Sequence, residues 1–178
     1  MAAVVAGPED LEGIAADVLS SLDLFEIRAD MFKDGRESVI RESLKRGRAL
    51  GKHSLLTIRR GDEGGVRPMS DAEREALYLA LLPDTDSIDI EIASTPFWST
   101  VAPAAKRLNK PIIGSCHRFD RTPEDGWMEA QFQVASALGA DVFKLAAMAG
   151  GSSDLARLLA FTDRHAPDGV IVLGMGPW

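Results

Sequence analysis

Four short stretches carry the residues that could do chemistry. "DVFKLAAM" (141–148) is an apolar run with a single lysine, Lys144, near its centre. A strand of this character is buried on both faces, and an ammonium there is costly unless something uses it. The bland alternative is a lysine that snorkels along the strand to water. The chemical alternative is a neutral amine, favoured by burial and by neighbouring like charge, that attacks a carbonyl to give a Schiff base. The protonated imine is an electron sink and acidifies the proton on the adjacent carbon. A histidine within reach could take that proton and return one to a leaving hydroxyl.

"SCHRFDRTP" (115–123) offers such a histidine, His117, at the C-terminal end of another apolar run. Cys116 beside it faces the opposite side of a strand, so the two cannot act as a nucleophile–base dyad. A lone histidine in this position is more often structural than catalytic. In "FEIRAD" (25–30), Glu26 and Arg28 are two apart and share one face of a strand, with Phe25 and Ile27 on the other. They read equally as an internal ion pair or as ligands for a polar substrate. "TIRRGDEGG" (57–65) repeats the theme, with Arg59 at a strand end and Glu63 four residues on, in a glycine-rich loop. Either alone reads as a solvated loop charge.

The elements that must position these groups alternate. Strands are predicted over 2–7, 24–30, 53–60, 87–92, 111–117, 141–148 and 169–176. Between them lie amphipathic stretches. Leu11, Ile14, Ala15, Val18, Leu19 and Leu22 recur with helical spacing. Further helices are predicted near 36–50, from Ser70 with Glu73 completing a capping box, over about 96–109, from Thr122 as cap with Pro123 following, and over 152–166 with Leu155, Leu158 and Leu159 on one face. Such alternation means parallel strands with right-handed crossovers, in an open doubly wound sheet or a (β/α)8 barrel. Glu26, Arg28, Arg59, His117 and Lys144 lie in or at the ends of strands, on four different βα units. An open sheet gathers its chemistry at one switch point, whereas a barrel brings every C-terminal strand end to one mouth, so the barrel accounts for the scatter better.

The 178 residues suffice for one domain, 1–178, and a composition of 46% hydrophobic and 26% charged residues is that of a globular chain. The net charge of −7, without a basic patch, argues against nucleic acid. No apolar run approaches the roughly 18 residues that span a bilayer, and no cationic leader precedes the acidic N-terminus. The single cysteine fits a reducing cytoplasm. His53, His117 and His165 lie far apart and form no metal motif, and "LGMGPW" is only a fragment of a dinucleotide fingerprint.

Taken together, "FEIRADMF", "TIRRGDEGG", "SCHRFDRTP" and "ADVFKLAAMA" resemble type I 3-dehydroquinate dehydratase, in that family's order and local spacing. The resemblance runs from the first strand to the last residue and implies a (β/α)8 TIM-barrel fold. It implies a lyase of the shikimate pathway of aromatic amino acid biosynthesis, acting on the anionic small molecule 3-dehydroquinate. Lys144 would form the imine, His117 would be the general acid-base, and Glu63 would orient and tune it. Glu26, Arg28 and Arg59 match substrate-contacting positions, and Met175 matches a methionine that packs at the site. The lysine supplies the electron sink, so no metal or diffusible cofactor is implied. Family members often pair as homodimers.

The chain also departs from the family's pattern. Val4 stands where some relatives have serine, and Ala149 replaces a proline. The family's arginine after the "MG" motif, and the serine and glutamine of its eighth strand and loop, have no counterpart before Trp178. The expectation is therefore an incomplete barrel of about seven strands and six helices, with a longer gene product that in some relatives is fused to a shikimate dehydrogenase. Two alternatives stay open: another class I Schiff-base barrel of aldolase type, and a non-catalytic relative.

Overall fold

A computed structural model describes residues 1–177. Seven strands follow one another in sequence order through a parallel sheet: β1 (Ala2–Val5), β2 (Leu24–Arg28), β3 (His53–Thr57), β4 (Ser87–Glu91), β5 (Ile112–Arg118), β6 (Val142–Met148) and β7 (Val170–Met175). Between them run six α-helices: α1 (Ala16–Ser21), α2 (Glu37–Ala49), α3 (Asp71–Leu81), α4 (Phe97–Arg107), α5 (Asp125–Leu138) and α6 (Ser152–His165). The expected seven strands and six helices are thus found among the described residues. No helix among them is long and apolar enough to cross a membrane.

The chain divides into two compact units. The first comprises Met1–Asp89 and Pro96–Pro111, and the second Ile90–Thr95 and the residues from Ile112 onward. β4 therefore contributes to both.

In the first unit, alternate residues divide the sheet into an apolar and a polar face. Phe25, Ile27, Leu56, Ile58 and Ile88 are buried on the helix side. There α2 adds Ile40 and Leu44, α3 adds Tyr78 and Leu81, and α4 adds Val101 and Ala105. The other face carries Glu26, opposite Leu55, and Arg28, Thr57 and Asp89 in register across β2, β3 and β4. Parallel strands are normally apolar on both sides, so a charged face marks residues kept for something other than packing.

In the second unit, Cys116, Phe143, Leu145 and Ala147 pack with Met128 and Ala135 of α5 and with Leu158 and Phe161 of α6. Phe132, Phe143 and Phe161 meet edge to face, with ring centroids 5.9 to 6.4 Å apart. Such offset geometry is favoured by the ring quadrupoles.

Three local expectations are corrected. The long first helix is instead a 3₁₀ turn (Pro8–Leu11) and the six-residue α1, separated by Gly13 at φ +61°. Leu11 and Leu22 are buried, but Val18 is half exposed, so the apolar spacing does not lie on one continuous helix. The cap of α5 is Glu124, and the Thr122 hydroxyl instead donates to the carbonyl of Met148 at 2.8 Å. On α6 the buried line runs through Leu158, Phe161 and His165, while Leu159 is exposed. The predicted box at Ser70 is present: the Glu73 amide donates to the Ser70 hydroxyl, and the Ser70 amide donates to the Glu73 carboxylate.

Candidate active site

The polar face of the first unit holds four of the expected residues. Thr57 donates to Glu26 at 2.9 Å, fixing a half-buried carboxylate on β2. The carboxylate partner of Arg28 is Asp30, not Glu26. Its Nε and Nη2 donate to the two oxygens of Asp30 at 3.0 and 2.9 Å, and Nη2 reaches the Gly64 carbonyl at 3.4 Å. Reading "EIR" as an internal ion pair is thereby corrected, because the 3₁₀ turn at Ala29–Met31 brings Asp30 back to the guanidinium.

Arg59 is no solvated loop charge. It is 3% exposed, and its two Nη atoms donate to the two oxygens of Asp89 at 3.0 Å each, a fork-on-carboxylate pair. The backbone that carries it lies past the last pairing of β3, so its polar groups need other partners. Tyr78 donates its hydroxyl to the Asp89 carbonyl and accepts from the Ile58 amide at 3.0 Å. One turn earlier on α3, Arg74 donates to the Ile58 carbonyl at 3.0 and 2.9 Å and lies over the Phe97 ring. Two side chains of one helix thus hold both sides of the residue preceding Arg59.

Glu63 ends a 3₁₀ turn (Gly61–Glu63) and is half-buried. The two glycines after it have separate reasons to be glycine. Gly64 has φ +88°, a left-handed conformation that side chains disfavour. At Gly65 a Cβ would lie 2.3 Å from the Arg59 carbonyl oxygen, so the loop could not fold back on the strand end with any larger residue.

Asp30 and Asp89 were not singled out by sequence reasoning. Asp89 had a readable signal, since "SIDIEI" alternates isoleucines with Ser87, Asp89 and Glu91 on one face. Asp30 had none, because β2 ends at Arg28 and strand parity stops there. Burial works to raise the Asp30 carboxyl pKa. The hydrogen bonds and charge of Arg28, with the amides of Arg59 and Val66, outweigh it and hold the group below its ordinary value.

The second unit holds Lys144, His117 and Met175. Lys144 is 8% exposed at the middle of β6 and lies in register with Ser115 of β5 and Ile171 of β7. His117 is two residues beyond Ser115 and opposite Ala146, so it shares the face of Lys144 and sits diagonally from it. Strand spacing and rise put their Cα atoms about 8 Å apart, within reach of two long side chains. Their neighbours across β5 and β6, Ser115 and Ala146, are small, and Ile171 of β7 flanks Lys144 on the other side. Cys116 packs into the apolar cluster on the opposite face, as strand parity requires. Met175 pairs with Met148 and shares the face of Ile171 and Leu173. No group of three or more His, Cys, Asp or Glu that could hold a metal occurs among the described residues.

Comparison with known proteins bears on the family and the fold. A sequence profile of type I 3-dehydroquinase matches residues 3–178. The 3-dehydroquinate dehydratase of Thermodesulfovibrio yellowstonii is 38% identical over 179 residues, which cover 98% of this chain and 75% of that protein. That of Pyrococcus abyssi is 31% identical, covering 92% of this chain and 74% of its own. In structure, the 3-dehydroquinate dehydratase of Aquifex aeolicus superposes with a TM-score of 0.86 at 29% identity, over 99% of this chain and 80% of that one. The enzyme from Geobacillus kaustophilus gives 0.86 at 27% identity, over 99% and 73%. The chain belongs to the type I 3-dehydroquinase family, hydro-lyases of TIM-barrel type.

Proposed function

We propose that this protein dehydrates 3-dehydroquinate to 3-dehydroshikimate through a Schiff base on Lys144, with His117 as general acid-base. The Lys144 amine adds to the ketone, and loss of water gives an iminium ion. His117 takes a proton from C2, leaving an enamine. The enamine expels the C1 hydroxyl, protonated by the same imidazole, and water hydrolyses the imine to release product and restore the amine. Glu63 orients and tunes His117, Glu26, Arg28 and Arg59 hold the substrate's hydroxyls and carboxylate, and Met175 packs against the ring.

The observation carrying this reading is the register of β5 on β6. It sets a buried lysine and a histidine on one face, diagonal to each other, with Ser115 and Ala146 as the small residues opposite them across β5 and β6. The test is covalent trapping. Incubation with 3-dehydroquinate and borohydride should leave a reduced adduct that peptide mass spectrometry locates at Lys144. An unmodified lysine after treatment with substrate, and again with product, would remove the Schiff-base reading and favour a non-catalytic relative.

A further inference from the structure

We propose that Asp30 is a positioning residue for the substrate-binding face, acting through Arg28 and the loop that carries Glu63. The inference rests on the reading above, in which Arg28 contacts substrate.

Asp30 has a fully buried side chain and four hydrogen bonds. Oδ1 accepts from Arg28 Nε at 3.0 Å and from the Arg59 amide at 3.1 Å. Oδ2 accepts from Arg28 Nη2 at 2.9 Å and from the Val66 amide at 3.2 Å. The Asp30 carbonyl also accepts from the Arg67 amide at 3.2 Å. A carboxylate offers about four lone-pair directions, and here all are used by protein donors. Asp30 therefore has no capacity left for a ligand, and whatever it does it does through its neighbours.

Those neighbours share one property. Arg28 and Arg59 are substrate-binding residues of the proposed reaction, and Val66 closes the loop that begins after Arg60 and contains Glu63. One buried anion thus ties the end of β2, the end of β3 and the far side of the loop. It also sets which part of Arg28 is presented. With Nε and Nη2 engaged, Nη1 carries no hydrogen bond to any described residue, and the side chain is 18% exposed. Asp30 grips one edge of the guanidinium and leaves the other for an anionic or hydroxylated ligand, already oriented. Orientation fixed before binding lowers the cost of binding.

An Asp30→Asn variant separates charge from shape. Its amide nitrogen would face donors where Oδ2 accepted two, so either Arg28 or the loop must let go. The readout is the 3-dehydroquinate concentration giving half-maximal borohydride-trapped adduct on Lys144. It should rise about tenfold or more, as expected for loss of a hydrogen bond to a charged group, while the adduct yield at saturating substrate is retained. Arg28→Lys keeps the charge but cannot offer two edges, and should show a similar shift even if Asp30→Asn folds poorly. In an Arg28→Ala background, Asp30→Asn should add much less than it does alone, because the two act as one unit. A purely structural role would instead lower thermal stability and shift trapping equally in both backgrounds.

If the wild-type protein traps substrate but Asp30→Asn stays within about twofold of it, the scatter of an uncoupled site, the inference is overturned and the imine reading stands. If the wild type traps nothing, both fall.

Discussion

The polar face of the first unit and that of the second are described by different features: side-chain partners on one, strand register on the other. On the first, candidate residues arrive with partners: Arg28 with Asp30, Arg59 with Asp89, Glu26 with Thr57. On the second, strand register sets the placement: Lys144 lies between Ser115 and Ile171, and His117 opposite Ala146. The difference matches the two roles proposed for these residues. A binding group gains from being held in one orientation before the ligand arrives, and a charge-assisted pair does that. A group that must form and break a covalent bond, or carry a proton between two atoms, has to face its reaction partner, and strand parity puts Lys144 and His117 on one side of the sheet.

If this division is right, substitutions on the two faces should fail differently. The largest effect belongs to Lys144→Ala, which should abolish both turnover and borohydride trapping, since nothing else supplies the amine. Arg28→Ala should instead raise the concentration needed for trapping and leave an adduct at saturating substrate. Equal loss of trapping in both variants would erase the distinction. Next is His117→Ala. Imine formation should persist in trapping experiments, while dehydration slows by roughly 10² to 10⁴, the range for a positioned acid-base group. Near-normal turnover would take His117 out of its role.

The third effect is on stability and comes from the first unit. Arg59 and Asp89 are 3% and 0% exposed at the side chain. Removing one member of a buried pair strands the other's charge, so Asp89→Ala should cost about 3 kcal/mol or more in urea unfolding. His117→Ala removes a side chain that is only half-buried and should change stability far less. A comparable loss in the two variants would mean that the second face is as tightly pre-arranged as the first.

The same contrast explains what could be read before any coordinates. Residue types and parity alone placed Lys144, His117, Glu26 and Arg28 on strands, and separated His117 from Cys116. Strand parity is a local rule, and it held wherever the strand was real. The helix over 36–50 and the Ser70–Glu73 box were also legible, because capping is local too. What failed depended on distant chain. Asp30 sits one turn past its strand, and its four donors come from residues 28, 59 and 66. Thr122 looked like a cap, but its hydroxyl bonds a carbonyl 26 residues away. Leu159 sits four residues from Leu155, yet packing chose Phe161 and His165 for the buried line. Pairing across long separations leaves no periodic trace, which is why Asp30 escaped notice, whereas Asp89 was legible in the alternation of "SIDIEI".

The smallest effect concerns acid. Asp30 is held below its ordinary pKa by Arg28 and two amides against the cost of burial. Asp86 behaves likewise: burial raises its pKa, and the Ser54 amide and hydroxyl, with Arg48 and His53, more than offset this. A carboxyl lowered in the folded state stabilises fully above its unfolded pKa and loses that contribution as pH falls toward the folded one. The window therefore lies below about pH 4, and near neutral pH nothing should change. Protonating Asp30 removes the acceptor for the Arg59 and Val66 amides, so their hydrogen-exchange protection should fall within that window. Amides of Leu145 and Ala147 lie in β6, paired on both sides by β5 and β7 without any carboxylate acceptor, and should keep theirs. Simultaneous loss at all four sites would show acid acting on the whole fold and not on the anchored face, and the contrast between the two units would then be one of composition only.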